Sequence, residues 1–118
     1  MKAIQLFSTL ILTAMTVPNF SQNQTEVDRI STSAGDVEIF FIGHGSLMFR
    51  TGGYVIHIDP VRSSGSYEKL PEADLILVTH EHYDHLDTSL IKKLKKTSTV
   101  MFGNAASAEK VPWSQVMK

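Results

Sequence analysis

Asp74-Leu75-Ile76-Leu77-Val78-Thr79 runs directly into His80-Glu81-His82-Tyr83-Asp84-His85, and the reading of this stretch decides the rest of the chain. The first half is a short aliphatic run of the kind a buried strand carries. The second half holds three of the chain's five histidines, with an aspartate between the last two. Imidazole and carboxylate bind zinc and its borderline neighbours where no thiolate is available, and this chain has no cysteine. In extended backbone alternate side chains share a side, so His80, His82 and Asp84 converge. His85 breaks that parity: either the chain turns sharply there, or His85 serves a second ion. A loop of unrelated surface histidines is the plainer alternative, but imidazoles and a carboxylate packed this densely have no structural motive.

The flanking sequence supplies a frame for the site. Val37 to Ile42 reads as a strand and ends in Gly43-His44-Gly45-Ser46. Leu47–Thr51 and Tyr54–Asp59 follow as two strands around Gly52-Gly53, a hairpin signal, and Pro60 closes the second. Residues 61–70 form a Ser- and Gly-containing loop of the sort that lines a site's mouth. Past the histidines, Asp87 or Thr88 caps a helix to about Lys96, with Leu90, Ile91 and Leu94 as its stripe and the lysines opposite. Thr97–Phe102 is another strand, and Ala105–Lys110 opens a second helix after Gly103-Asn104. Strand, helix and strand make a βαβ unit with a parallel pair, whose ligands sit beyond the carboxyl ends of the strands. The upstream hairpin makes the sheet mixed, so the fold class is α/β with an α+β-type mixed sheet. His57 shares strand parity with Asp59 and reads as a half-buried sheet histidine.

At the amino terminus, Lys2 and the uncharged, largely apolar stretch from Ala3 to Val17 precede Pro18-Asn19-Phe20-Ser21. Residues 1–21 are expected to be a signal peptide, which directs the protein out of the cell or into the periplasm. The apolar stretch is shorter than the about 20 residues of a bilayer span, so no stable membrane association is expected after cleavage. Residues 22–35 are polar and without periodicity, and are expected to form a linker into a domain over 36–118. A formal net charge of −1 gives no composition-level case for nucleic acid or acidic lipid.

Ile42-Gly43-His44-Gly45-Ser46, Ile58-Asp59-Pro60 and Thr79-His80-Glu81-His82-Tyr83-Asp84-His85-Leu86-Asp87 together resemble the N-terminal half of a metallo-β-lactamase-fold hydrolase. The nearest likeness is to the branch containing the ascorbate-phosphate lactonase; Gly103-Asn104-Ala105-Ala106 resembles that branch as well. The resemblance implies half of an αββα sandwich with one or two metal ions, Zn2+ first and Mn2+ or Fe as substitutes. It implies that His80 and His82 bind a first ion and that Asp84 and His85 bind a second. It places Asp59 behind the ligands as a hydrogen-bond acceptor and His44 near the pocket. The implied activity is hydrolysis of an ester, lactone, amide or phosphoester, with a small-molecule substrate as the partner, by hydroxide formed at the ion, with Asp84 holding the water and taking its proton. The family draws its remaining ligands from later sequence, yet this chain has no histidine after His85 and no aspartate after Asp87. The chain is therefore expected to be part of a longer hydrolase, inactive by itself, with one sheet face uncovered. A non-catalytic exported metal-binding module is the alternative.

Overall fold

Period-two alternation of apolar residues builds a sheet, and two short amphipathic helices cover one of its faces. The computed structural model describes residues 25–112 and 115–116; the signal-peptide reading of residues 1–21 lies outside them. Seven strands stand in the sheet in sequence order: β1 (Glu26–Thr32), β2 (Gly35–Gly43), β3 (Ser46–Thr51), β4 (Tyr54–Ile58), β5 (Ala73–Val78), β6 (Lys95–Gly103) and β7 (Gln115–Val116). The first three pairings are antiparallel, and β4–β5, β5–β6 and β6–β7 are parallel. The expected mixed α/β sheet is therefore present. Helix α1 (Thr88–Leu94) crosses from β5 to β6, and α2 (Ala105–Lys110) follows β6.

Cross-strand register sorts the side chains into two faces. Met48, His57, Ile76 and Met101 are successive partners across β3 to β6, and each is at most 1% exposed. Ile76 and Met101 join Leu90, Ile91 and Leu94 of α1, with Leu86 and Val111, in the core. The opposite face carries Leu47, Ile58, Leu77 and Phe102 in one row and Phe49, Ile56, Leu75 and Val100 in the next. None of these eight is buried. An apolar face of this breadth is half of a sandwich.

Three expectations are corrected. Residues 26–32, expected within a linker, form β1 against β2. All seven are exposed, so no burial pattern marks them in the sequence. Helix α1 ends at Leu94, and Lys95 and Lys96 belong to β6, where Lys96 Nζ pairs with Asp74 at 2.6 Å. His57 is fully buried, because its row lies beneath the core. Of the two candidate caps of α1, Asp87 is the one used, accepting from the N–H groups of Ser89 and Leu90.

Candidate metal centre

The carboxyl ends of β2, β4, β5 and β6 share one edge of the sheet, and the turns leaving them build the site. Beyond Val78 the chain leaves the sheet and curls back, so the N–H groups of His85 and Leu86 both reach the carbonyl of His82, at 2.9 and 2.8 Å. This turn, not strand alternation, gathers the imidazoles. The ring centroids of His80 and His85 are 4.0 Å apart, and those of His80 and His82 are 4.7 Å apart. Leu86 anchors the turn in the core, and Asp87 fixes it again by capping α1 and accepting from Arg62 Nε at 2.8 Å. On the far side, Asn104 Nδ2 donates to Glu81 Oε2 at 2.9 Å and Lys110 Nζ to the Glu81 carbonyl at 3.0 Å. The Asn104 bond, foremost among several contacts, holds the Glu81 carboxyl below its ordinary value.

Asp59, immediately after β4, is 2% exposed and adopts a left-handed backbone conformation with φ of 43°. Its Oδ1 accepts from the Thr79 N–H and its Oδ2 from the Thr79 hydroxyl, both at 2.7 Å. Oδ2 also lies 2.8 Å from His85 Nδ1. Ser46 Oγ donates to the Asp59 carbonyl at 2.6 Å, tying β3 to the same hub. The network fixes two tautomers. Thr79 spends its only hydroxyl proton on Asp59, so its oxygen accepts from His80 Nδ1 at 2.9 Å. His85 Nδ1 faces a carboxylate oxygen and donates to it. In both rings Nε2 is left as a lone-pair donor, the arrangement that outer hydrogen bonds impose on metal-binding histidines.

Two groups of donors result, and in each the ligand atoms lie within 4.8 Å of one another: His80, His82 and Asp84, and His44, Asp84 and His85. Asp84 belongs to both. Its Oδ2 stands 3.1 Å from His44 Nε2 and 3.6 Å from His85 Nε2. Partial burial opposes ionisation of Asp84, but hydrogen bonds from its own main chain and from His44, with His85 and His44 nearby, hold its carboxyl below the ordinary value. Nitrogen and oxygen donors at this spacing, with two rings pre-set in the right tautomer, fit a divalent ion. The structure thus brings together all six residues singled out from the sequence. Thr79, Ser46, Gly45 and Asn104 stand in the resembling motifs, but the sequence assigned none of them a role at the site. Only Asn104 carries a general signal, as an Asn placed to cap α2, where its side chain accepts from Ser107 N–H. An open concavity lies at the other end of the strands, beside Gly52-Gly53, and both its arginines are engaged by Glu38.

The structure is thus a mixed α/β sheet with candidate metal donors gathered at the carboxyl ends of its parallel strands, and similarity to known proteins places it further. The Beta-lactamase superfamily domain family matches residues 38–116, and the chain belongs to that family. It is 36% identical over 77 residues to a UPF0173 metal-dependent hydrolase of Anaeromyxobacter sp. (strain K), covering 59% of this chain and 28% of that protein. A relative of the same description from Cupriavidus taiwanensis is 40% identical over 72 residues, or 52% of this chain and 25% of that one. Among solved structures, a protein of Parabacteroides distasonis ATCC 8503 named as a candidate metal-dependent hydrolase superposes with a TM-score of 0.76 at 38% identity, covering 80% of this chain and 44% of that one. Igni18, a metallo hydrolase of Ignicoccus hospitalis, shares the fold at 24% identity with a TM-score of 0.52. The chain thus spans under a third of the curated relatives it matches, at 28% and 25% of their length.

Proposed function

We propose that this chain carries the primary metal-binding half of a hydrolase that splits an ester, lactone, amide or phosphoester of a small molecule. The observation that carries the reading is the pair of donor groups meeting at Asp84, backed by the Asp59 network that frees Nε2 of His85. In it, His80 and His82 would hold one ion and Asp84 and His85 a second, with Zn2+ suited to the donor set and Mn2+ or Fe able to replace it. When bound, a divalent ion would supply a nucleophile at neutral pH by lowering the pKa of its water to about 7, and would polarise the oxygen under attack. Asp84 is placed to orient the water and take its proton, since its carboxylate belongs to both donor groups. Asp59 and His44 stand behind and beside these ligands. The loop over residues 61–70 leads from Asp59 past Arg62, which is fastened to Asp87, and is positioned to shape the approach of substrate.

Export to the periplasm or beyond is proposed from the apolar amino-terminal stretch; among the described residues no helix is long and apolar enough to cross a membrane. The reading is tested by titrating the 118-residue chain with Zn2+ in a calorimeter. Stoichiometric uptake that His80→Ala and His82→Ala each abolish at one ion supports it. Absence of uptake at micromolar concentration sinks it.

A further inference from the structure

We propose that His44 is itself a metal ligand, completing with Asp84 and His85 a three-donor set for one ion. The inference rests on the metal-centre reading above and adds a ligand that neither the turn after β5 nor its strand contains.

The geometry carries it. Two ligands of one tetrahedral ion, each about 2.1 Å from the metal, stand roughly 3.4 Å apart. The separations from Asp84 Oδ2 are 3.1 Å to His44 Nε2 and 3.6 Å to His85 Nε2, on either side of that value. All three donor atoms fall within 4.8 Å. A catalytic site of this kind takes three protein ligands and leaves a position open. His44 supplies the third donor of the group it forms with Asp84 and His85.

The backbone points the same way. His44 has φ of 50°, a left-handed conformation that is uncommon outside glycine. Such conformations persist only where surroundings enforce them, and they cluster at functional sites. Here the neighbours enforce it. A Cβ on Gly43 would sit 2.2 Å from the Ser64 carbonyl oxygen, and one on Gly45 would sit 2.9 Å from His85 Cε1. The loop is therefore pressed against the turn at Ser64 on one side and the His85 ring on the other, and His44 is held between them. Packing gives no motive for an imidazole at this place, because the His44 side chain is 59% exposed.

The test is Co2+ titration of the 118-residue chain, followed by calorimetry and visible absorption, in wild type, His44→Asn and His44→Gly. Both replacements tolerate a left-handed backbone. The expected result is one ion weakened by about 100-fold or more in both variants, while the ion held by His80 and His82 keeps its affinity; the loss of one imidazole nitrogen by X-ray absorption accompanies it. Unchanged stoichiometry and affinity in both variants overturns the His44 assignment and leaves the metal centre standing. Loss of both ions in a variant with wild-type circular dichroism overturns it too, since His44 is not among the donors grouped with His80 and His82. Wild type that takes up no Co2+ overturns the inference together with the reading beneath it.

Discussion

The Asp59 carboxylate meets His85 Nδ1 at 2.8 Å from a residue that stands 26 positions earlier, at the end of a neighbouring parallel strand. The contact sets which nitrogen of His85 faces Asp84. It also makes Asp59→Asn a clean probe. Asn tolerates the left-handed backbone at this position as Asp does. Its carbonyl can keep the Thr79 N–H, but its amide then faces His85 Nδ1 as a donor. The imidazole must move its proton to Nε2, the atom required by an ion. Metal affinity is expected to fall by about 10- to 100-fold. A competition titration against a chromophoric chelator measures it, and an unchanged affinity would remove Asp59 from the site.

Gly45 is predicted to be a second lever on the same ring. A methyl group there would stand 2.9 Å from His85 Cε1 and 3.2 Å from Nδ1. The ring cannot yield freely because Asp59 grips it. Gly45→Ala is expected to weaken metal binding by on the order of tenfold while leaving the fold close to wild type. Gly43→Ala differs, since the obstacle is the Ser64 backbone at 2.2 Å and φ is 140°. That variant is expected to lose roughly 2–3 kcal/mol of stability. Urea unfolding and metal titration of the pair distinguish the two effects; equal stability losses would contradict the assignment.

Stability should also depend on pH through His57. Burial pushes its imidazole below the ordinary value, against a weaker upward pull from the Pro71 carbonyl, to which Nε2 donates at 3.0 Å. Its Nδ1 has no hydrogen-bond partner and is fully enclosed. The unfolded chain therefore binds this proton more readily than the folded one. The stabilisation is complete above the ordinary histidine value of about 6.5 and is lost as pH falls below it, levelling off only beneath the lowered value. His57→Gln keeps a donor for Pro71 and cannot titrate. Unfolding free energies between pH 8 and pH 5 should fall more steeply in wild type than in the variant, and parallel curves would refute the claim.

Much of this was readable from residues alone, for reasons that differ by element. Strands β2 to β5 show themselves through their β-branched, aromatic and aliphatic content and the marked hairpin at Gly52-Gly53, and β3 to β5 each bury residues on one face. β1 could not be read, because a strand with all seven residues exposed has no face to declare. The cluster from His80 to His85 was legible through its composition, but the strand parity offered for its convergence was not the cause. The turn closing on the His82 carbonyl is, and it also disposes of the parity conflict at His85. Thr79 and Ser46 act through hydroxyl groups found everywhere in proteins, so only their position beside Asp59 reveals them.

The uncovered face of the sheet leads to the last prediction. Leu47, Ile58, Leu77 and Phe102 form one apolar row, flanked by Phe49, Ile56, Leu75 and Val100, the last of them 39% exposed. A contiguous apolar surface of this kind on a soluble protein marks a place where something packs. The isolated chain is therefore expected to bind a hydrophobic dye strongly and to self-associate as its concentration rises. Leu77→Lys should suppress both, and at a partly buried position it should cost about 1 kcal/mol of stability. Ile76→Ala, one residue away but in the buried row, should cost about 2–4 kcal/mol and leave association of the folded fraction intact. Light scattering and urea unfolding of the two variants separate the faces. If Leu77→Lys leaves association unchanged, this surface is not the one that packs.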